Sequence, residues 1–223
     1  MLVLLHTSPV HVPVFDALRD EGHPGLGLRH VVAEELLERA RAAGPAAVAG
    51  DVRVRVREAA DGGARAVLCT CSTIGEAAEA AASEAGVPVL RVDRPMAGAA
   101  VAAGPRVTVL AALESTLRPT VALIEEEADR AGRTVRVRTV LVDGAWACFG
   151  AGDDAGYVRR VADAADAVTG ADVIVLAQAS MAPAERLTTA AVPVLSSPRP
   201  GLDAAAALVR AGDWRVARRV GGE

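Results

Sequence analysis

The sequence predicts an α/β protein: two similar flavodoxin-like parallel-sheet domains related by a pseudo-twofold, with an active cleft between them. Three observations carry this expectation. Short apolar runs of strand length alternate with alanine-rich helical segments, the pattern of parallel sheets covered by helices on both faces. The second half of the chain repeats the order of the first. At 223 residues the chain is long enough for one large or two small domains. The expected domains are 1–98 plus 199–223 and 99–198, the chain end returning to pack on the first half.

Taken in order, "MLVLLH" reads as a strand, and "PVFDALRDE" opens a helix with Pro13 suited to its first turn. "LGLRHVV" is a second strand, and "AEELLERARAAG" a helix stopped at Gly44. "DVRVRVRE" alternates Val with Arg, which by period reads as a half-exposed strand. A helix must cross to the next parallel strand, however, so "DVRVRVREAADGG" is assigned to one. "ARAVLCT" is a strand, "GEAAEAAASEAG" a helix starting near Gly75, "VPVLRV" a strand and "PMAGAAVAAG" a helix.

The second half runs "RVTVLAAL" as strand, "RPTVALIEEEADRAG" as helix and "TVRVRTVLV" as strand with its arginines outward. "DDAGYVRRVADAADAVTG" follows as helix, "ADVIVLAQ" as strand and "APAERLTTAA" as a short helix. "VPVLSS" as strand and "PGLDAAAALVRAG" as helix end the series.

The halves match in detail. "GARAVLCTCSTI" lies over "GADVIVLAQASM" at an offset of 107, setting Cys69 over Leu176 and Cys71 over Gln178. "VPVLRVDRP" lies over "VPVLSSPRP" at 105, setting Arg94 over Arg199, and "VLLHTSPVHVPVF" lies over "VLAALESTLRPTV" at 106. A repeated structural role explains the two arginines before anion binding does.

Composition excludes several function classes. The chain is 52% hydrophobic but 2% aromatic, so its core is built from Ala, Val and Leu. Net charge is -4 with the signs mixed, and no clustered basic footprint points to nucleic acid. Lysine is absent, which removes Schiff-base, pyridoxal-phosphate and P-loop chemistry. No run approaches the ~20 apolar residues of a membrane span, and the first residues lack the basic region of a signal peptide. Three cysteines form no disulfide framework, so a reducing, cytoplasmic location is expected.

In open parallel sheets, ligands bind beyond the carboxyl ends of the strands. There the turns are "HTS" and "CTCST" in the first half, "LEST" and "AQAS" in the second. They are expected to meet in the cleft, where small hydroxyls and helix N-termini suit a carboxylate. Cys69 lies inside its strand and reads as a core thiol. Cys71 stands at the strand end before Ser72 and Thr73, where a following helix N-terminus favours a thiolate and makes it a usable base or nucleophile. No metal site is expected: Cys148 is remote, and all four histidines lie in the first 30 residues. A phosphatase loop would need arginine where Ala77 stands, and there is no C-x-x-C. His6 and His11 flank the first turn, and His6 at the strand end is a candidate proton donor. Glu114 is another possible acid or base. His23 and His30 read as structural; Trp146, Phe149 and Tyr157 read as packing.

"AVLCTCSTIGEAAE" resembles the first catalytic motif of the aspartate/glutamate racemase superfamily, an apolar strand followed by Cys, a small polar residue and Thr, here Cys71, Ser72 and Thr73. "GADVIVLAQASMAPA" resembles its second motif, and "LHTSPVHVPVFDAL" with "HVVAEELLERARAAG" resembles the opening of its hydantoin-racemase-like branch. The resemblance covers most of the chain. It implies a cofactor-independent two-domain isomerase, commonly dimeric, acting on a small carboxylate. In such racemases one thiolate removes the proton next to the carboxylate and a second thiol reprotonates the opposite face, while amides and hydroxyls hold the carboxylate.

Carried over, Cys71 is the first thiol. Ser8, Ser72, Thr73 and Ser180 are substrate contacts with Thr7 and Ala179, and Ser115 and Thr116 are their second-half candidates. The second thiol belongs at Gln178, Ala177 or Ala179, and none of these is cysteine. Glutamine exchanges no proton near neutral pH, and the second half's one cysteine, Cys148, lies well before that strand. The superfamily also holds one-thiol chemistry, in arylmalonate decarboxylase and maleate isomerase. The expectation is therefore a small-carboxylate enzyme working through Cys71, with Gln178 orienting or polarising the substrate and lyase or decarboxylase chemistry open beside isomerisation. The alternative is a non-catalytic carboxylate-binding protein.

Overall fold

The structure, a computed structural model, describes residues 1–220, with side chains through 211. Residues 221–223 of the expected first domain lie outside the described residues. The chain forms two compact units, Met1–Val92 with the described residues from Arg199 onward, and Asp93–Pro198.

The first unit contains β1 (Leu2–His6), α1 (His11–Gly22), β2 (Leu28–Val32), α2 (Glu34–Ala43), α3 (Ala49–Asp61), β3 (Ala66–Cys69), α4 (Ser72–Ala80), α5 (Ala82–Ala85) and β4 (Val89–Arg91). The second contains α6 (Arg94–Ala103), β5 (Arg106–Ala111), α7 (Leu117–Arg130), β6 (Arg136–Leu141), α8 (Ala145–Gly150), α9 (Asp154–Asp166), β7 (Val173–Leu176) and β8 (Val194–Leu195). The last helix, α10 (Pro198–Val220), belongs to the first unit. The sheets are parallel throughout, ordered β2-β1-β3-β4 and β6-β5-β7-β8. This is the flavodoxin-like order, whose direction reverses between the first and third strands.

Period-two alternation divides each sheet between two cores. In the first unit, Leu2, Leu4, Ala66 and Leu68 pack with Phe15 of α1 and Leu202, Ala205 and Val209 of α10. On the opposite face, Val3, Leu5, Val67 and Cys69 meet Leu36, Val52, Val56 and Ile74 of α2, α3 and α4. In the second unit, Val107, Val109, Val173 and Val175 pack on Met96 and Ala100 of α6 and Leu123 and Ile124 of α7. Leu110, Ile174 and Leu176 pack toward α9.

The helix assigned to "DVRVRVREAADGG" against its strand-like period is present as α3, which buries Val52, Val56 and Ala59 at helical spacing and leaves Val54 exposed. The similar alternation in "RTVRVRTV" does form a strand, β6, with its arginines 136 and 138 exposed. Three other expectations are corrected. Helix α4 begins at Ser72 rather than near Gly75. The offset between the first strands is also one residue less than the sequence match. Leu5 pairs with Cys69 as Leu110 pairs with Leu176, so Leu5 corresponds to Leu110 and His6 to Ala111. Shifting a strand by one residue exchanges its faces, and only this register puts Leu2 and Leu4 in the place of Val107 and Val109. The short helix expected at "APAERLTTAA" is a 3-10 segment, Ala179–Arg186, interrupted by Pro183.

The repeated arginines have matching structural roles. Arg94, opening α6, pairs with Glu126 and Glu127 of α7. Arg199, in the first turn of α10, pairs with Glu21 of α1. Helix α10 approaches β4 so closely that a Cβ on Gly201 would lie 2.5 Å from both the carbonyl oxygen and Cγ2 of Val92. A backbone carbonyl cannot swing aside. Gly201→Ala is therefore expected to destabilise by about 1–3 kcal/mol despite alanine's higher helix propensity. This lowers the melting temperature by about 3–9 °C in a chain of this size; an unchanged melting curve would show that α10 has room to shift.

Candidate active site

The carboxyl ends of β1 and β3 form the switch point of the first unit. Thr7 and Ser8 follow β1, and Cys71, Ser72 and Thr73 follow β3. Cys71 is the N-cap of α4, in extended conformation (φ -110, ψ 116), and its side chain makes no capping bond. Its thiol is free and half-buried, against the core that holds Cys69. The first N–H groups of a helix lack intrahelical partners and favour negative charge at that end. Thr7, Ser72 and Thr73 are buried and Ser8 is partly exposed. Cys69 is fully buried and donates its S–H to the carbonyl of Cys71 at 3.6 Å.

His6 lies at the same switch point but on the α1 face, with Leu2 and Leu4, while Cys71 follows the face of Val67 and Cys69. It is fully buried. Its Nδ1 is 2.7 Å from Thr70 Oγ1 and its Nε2 is 2.8 Å from His30 Nδ1. Thr70 donates to the Leu5 carbonyl at 3.2 Å, so the network assigns His6 Nδ1–H as donor to Thr70 and Nε2 as acceptor from His30. These bonds tie β1, β2 and β3 together beside Cys71. Burial, with His30 and His11 nearby, lowers the His6 pKa to about 3. His11, at the start of α1 with its ring 6.3 Å from that of His6, is lowered by burial to about 4. His23 bonds Asp203 of α10 at 2.7 Å.

Arg91, at the end of β4, escaped the sequence reading. It is buried, and its Nη2 donates to the Ser72 carbonyl at 3.4 Å while its backbone N–H donates to Glu79 of α4 at 3.1 Å. A Cβ on Gly75 would stand 3.0 Å from Arg91 Cβ and Nε. Glycine there lets the arginine lie against the first turn of α4, the turn that Cys71 caps.

The second unit has its own switch point, where Ser115 and Thr116 follow β5 and Gln178, Ala179 and Ser180 follow β7. Gln178 stands in the strand register where Cys71 stands in the first unit. Its Oε1 accepts the Ala112 N–H at 2.7 Å, bridging the two strand ends. Ser180 Oγ is 2.8 Å from the Tyr157 hydroxyl. Ser115 Oγ is buried without a hydrogen-bond partner among the described residues. The Thr116 carbonyl accepts from buried Thr120 at 2.9 Å. Glu114 is exposed. Cys148 lies on α8, which the sequence reading left unassigned, and packs with Trp146 and Phe149 on the core of Leu176 and Met181 rather than at a strand end. Among the described residues no three His, Cys, Asp or Glu side chains are grouped to hold a metal ion, and no helix is long and apolar enough to cross a membrane.

The site residues thus fall into two clusters, each at the carboxyl ends of the first and third strands of its own sheet. Comparison with solved structures finds the same fold in a glutamate racemase from Bacillus anthracis, at 16% identity and TM-score 0.68 over 95% of this chain and 82% of that one. An allantoin racemase from Klebsiella pneumoniae matches at 19% identity and TM-score 0.65, covering 95% and 88%. An arylmalonate decarboxylase matches at 20% identity and TM-score 0.59, covering 93% and 91%. No curated protein sequence matches the chain. The family model described as Asp/Glu/hydantoin racemase matches residues 13–212, nearly the whole length, and the chain belongs to that family.

Proposed function

We propose that the protein is a cofactor-independent, isomerase-type enzyme that uses Cys71 alone to move the proton next to a small carboxylate. The observation that carries this reading is the asymmetry of the two switch points. One offers a free thiol on the N-cap residue of a helix. The other, at the equivalent register, offers Gln178, which neither gives nor takes a proton near neutral pH.

In this reading the Cys71 thiolate takes the α-proton and becomes a thiol, and the C–H electron pair moves into the carboxylate as an enediolate. Hydroxyl donors at the same strand ends, Ser72, Thr73, Thr7 and Ser8, stabilise that charge, and the β5 and β7 turns offer carboxylate donors of the same kind in Ser115, Thr116, Ser180, Gln178 and the Ala179 amide. The Gln178 carbonyl oxygen is taken by Ala112, so its amide NH2 is what it can present. Return of the proton from Cys71 to the same face restores the substrate, and slower delivery of a proton from water to the opposite face completes isomerisation. His6, with both ring nitrogens bonded inside its unit, serves in this scheme by fixing the strand ends.

The test is proton exchange in heavy water over a panel of 2-amino, 2-hydroxy and 2-aryl carboxylates. Deuterium is expected at Cα of at least one acid, with inversion much slower than exchange. Inversion keeping pace with exchange would require an acid on the opposite face and would defeat the one-thiol scheme. Exchange with none of the acids would instead favour a carboxylate-binding protein without catalysis.

A further inference from the structure

We infer that Tyr157 is a positioning residue: its hydroxyl holds Ser180 as a hydrogen-bond donor aimed at the substrate carboxylate, an assignment that rests on the reading of the β5 and β7 turns above. Tyr157 is the chain's single tyrosine. It lies on the buried face of α9, spaced with Val161, Ala162 and Ala165, and its ring meets Phe149 at 5.3 Å. Its residue exposure is 2%, and among the described residues the hydroxyl's partner is Ser180 Oγ at 2.8 Å.

A phenol is a stronger acid than an alkyl hydroxyl, and a buried phenolic O–H has to spend its proton. Tyr157 therefore donates and Ser180 accepts, which leaves the Ser180 proton for a further acceptor. Burial pushes the Tyr157 hydroxyl up to about 12, against an opposing effect of the Ser180 bond, so it remains a donor throughout the neutral range. The same logic holds at Gln178, whose oxygen is occupied by Ala112 and whose NH2 is left to donate. Ser115 adds a buried hydroxyl with no partner among the described residues. Three donors in search of acceptors at one pair of strand ends match the oxygens of a carboxylate.

The experiment is a calorimetric titration with malonate of the wild-type chain, Tyr157→Phe, Ser180→Ala and the double variant. Ser180→Ala is expected to weaken binding about tenfold and Tyr157→Phe about fivefold. The double variant is expected to bind no worse than Ser180→Ala, because the two residues act through one hydroxyl. Uniform replacement of tyrosine by 3-fluorotyrosine alters this one side chain and strengthens its O–H donor; about twofold tighter binding is expected, which keeps the test open if Tyr157→Phe does not fold. Overturning results are a Tyr157→Phe affinity within twofold of wild type with Ser180→Ala weakened, losses that multiply in the double variant, or unchanged binding with fluorotyrosine. Failure of the wild type to bind malonate would also overturn the inference, while deuterium exchange dependent on Cys71 would still stand.

Discussion

Cys71→Ala is expected to reduce Cα deuterium exchange by about 10³-fold, the order of magnitude carried by a single general base. The fold should survive the change, because the side chain is half-buried, makes no capping bond, and leaves an N-cap backbone already in extended conformation. Cys69→Ala is the matched control. Its thiol is fully buried among Val3, Val67 and Ile74 and bonds the Cys71 carbonyl. That substitution is expected to cost about 1–2 kcal/mol in urea unfolding, with exchange retained within about tenfold. The opposite pattern, with Cys69→Ala inactive and Cys71→Ala active, would place the chemistry inside β3 rather than at its carboxyl end. Equal activity in both variants would remove thiol chemistry altogether. The pair separates a residue that reacts from one that packs, although the two stand only two positions apart and share one face of the strand.

That Cys69 lies in the core and Cys71 at the strand end was legible before the structure, because a buried parallel strand and the turn at its carboxyl end have different chemistry in their residues. The repeat was legible for the same reason: apolar strand runs recur with hydroxyl turns behind them, so the two parallel sheets and the equivalent positions of Cys71 and Gln178 followed. Other features depended on three-dimensional neighbours. "DVRVRVRE" carries two periods at once; the crossover to β3 rather than its own alternation selects the helical one, whose Val52, Val56 and Ala59 are buried with Leu36, Val67 and Ile74. The one-residue error in matching the first strands arose because "LVLLH" and "RVTVLAA" are apolar at almost every position, as strands buried on both faces are. Alternation cannot then report register. Tyr157 and Arg91 looked like packing and strand residues; their roles come from partners 23 and 19 positions away in sequence, Ser180 and Ser72. His6 was legible as a strand-end histidine, but its engagement with Thr70 and His30 was not.

Stability is expected to fall steeply as pH drops below about 6.5, and His6 is the main cause. In the unfolded chain a histidine takes up a proton near pH 6.5, while in the fold His6 does so only near 3 and His11 near 4. Between those limits the unfolded state binds more protons, so unfolding becomes easier with each step toward acid. Above pH 6.5 both states are neutral and the penalty vanishes; below the folded values it stops growing. One such group contributes about 1.4 kcal/mol per pH unit, so His6 alone costs about 2 kcal/mol at pH 5. His11 retains some exposure and adds a smaller amount, which brings the total to about 2–4 kcal/mol, a large share of a typical 5–15 kcal/mol. Urea unfolding of the wild type and of His6→Asn between pH 7.5 and 4.5 checks this. Asparagine can keep a donor near Thr70 but cannot reach His30, so the variant should be weaker at pH 7.5. Its acid slope should be shallower by about 1.4 kcal/mol per pH unit, and the two stabilities should converge toward pH 5. Parallel slopes would mean that His6 is protonated in the fold at ordinary acidity. The bridge from Thr70 through His6 to His30 would then have to rearrange its donors, and the strand ends that carry Cys71 would not be held by a neutral ring.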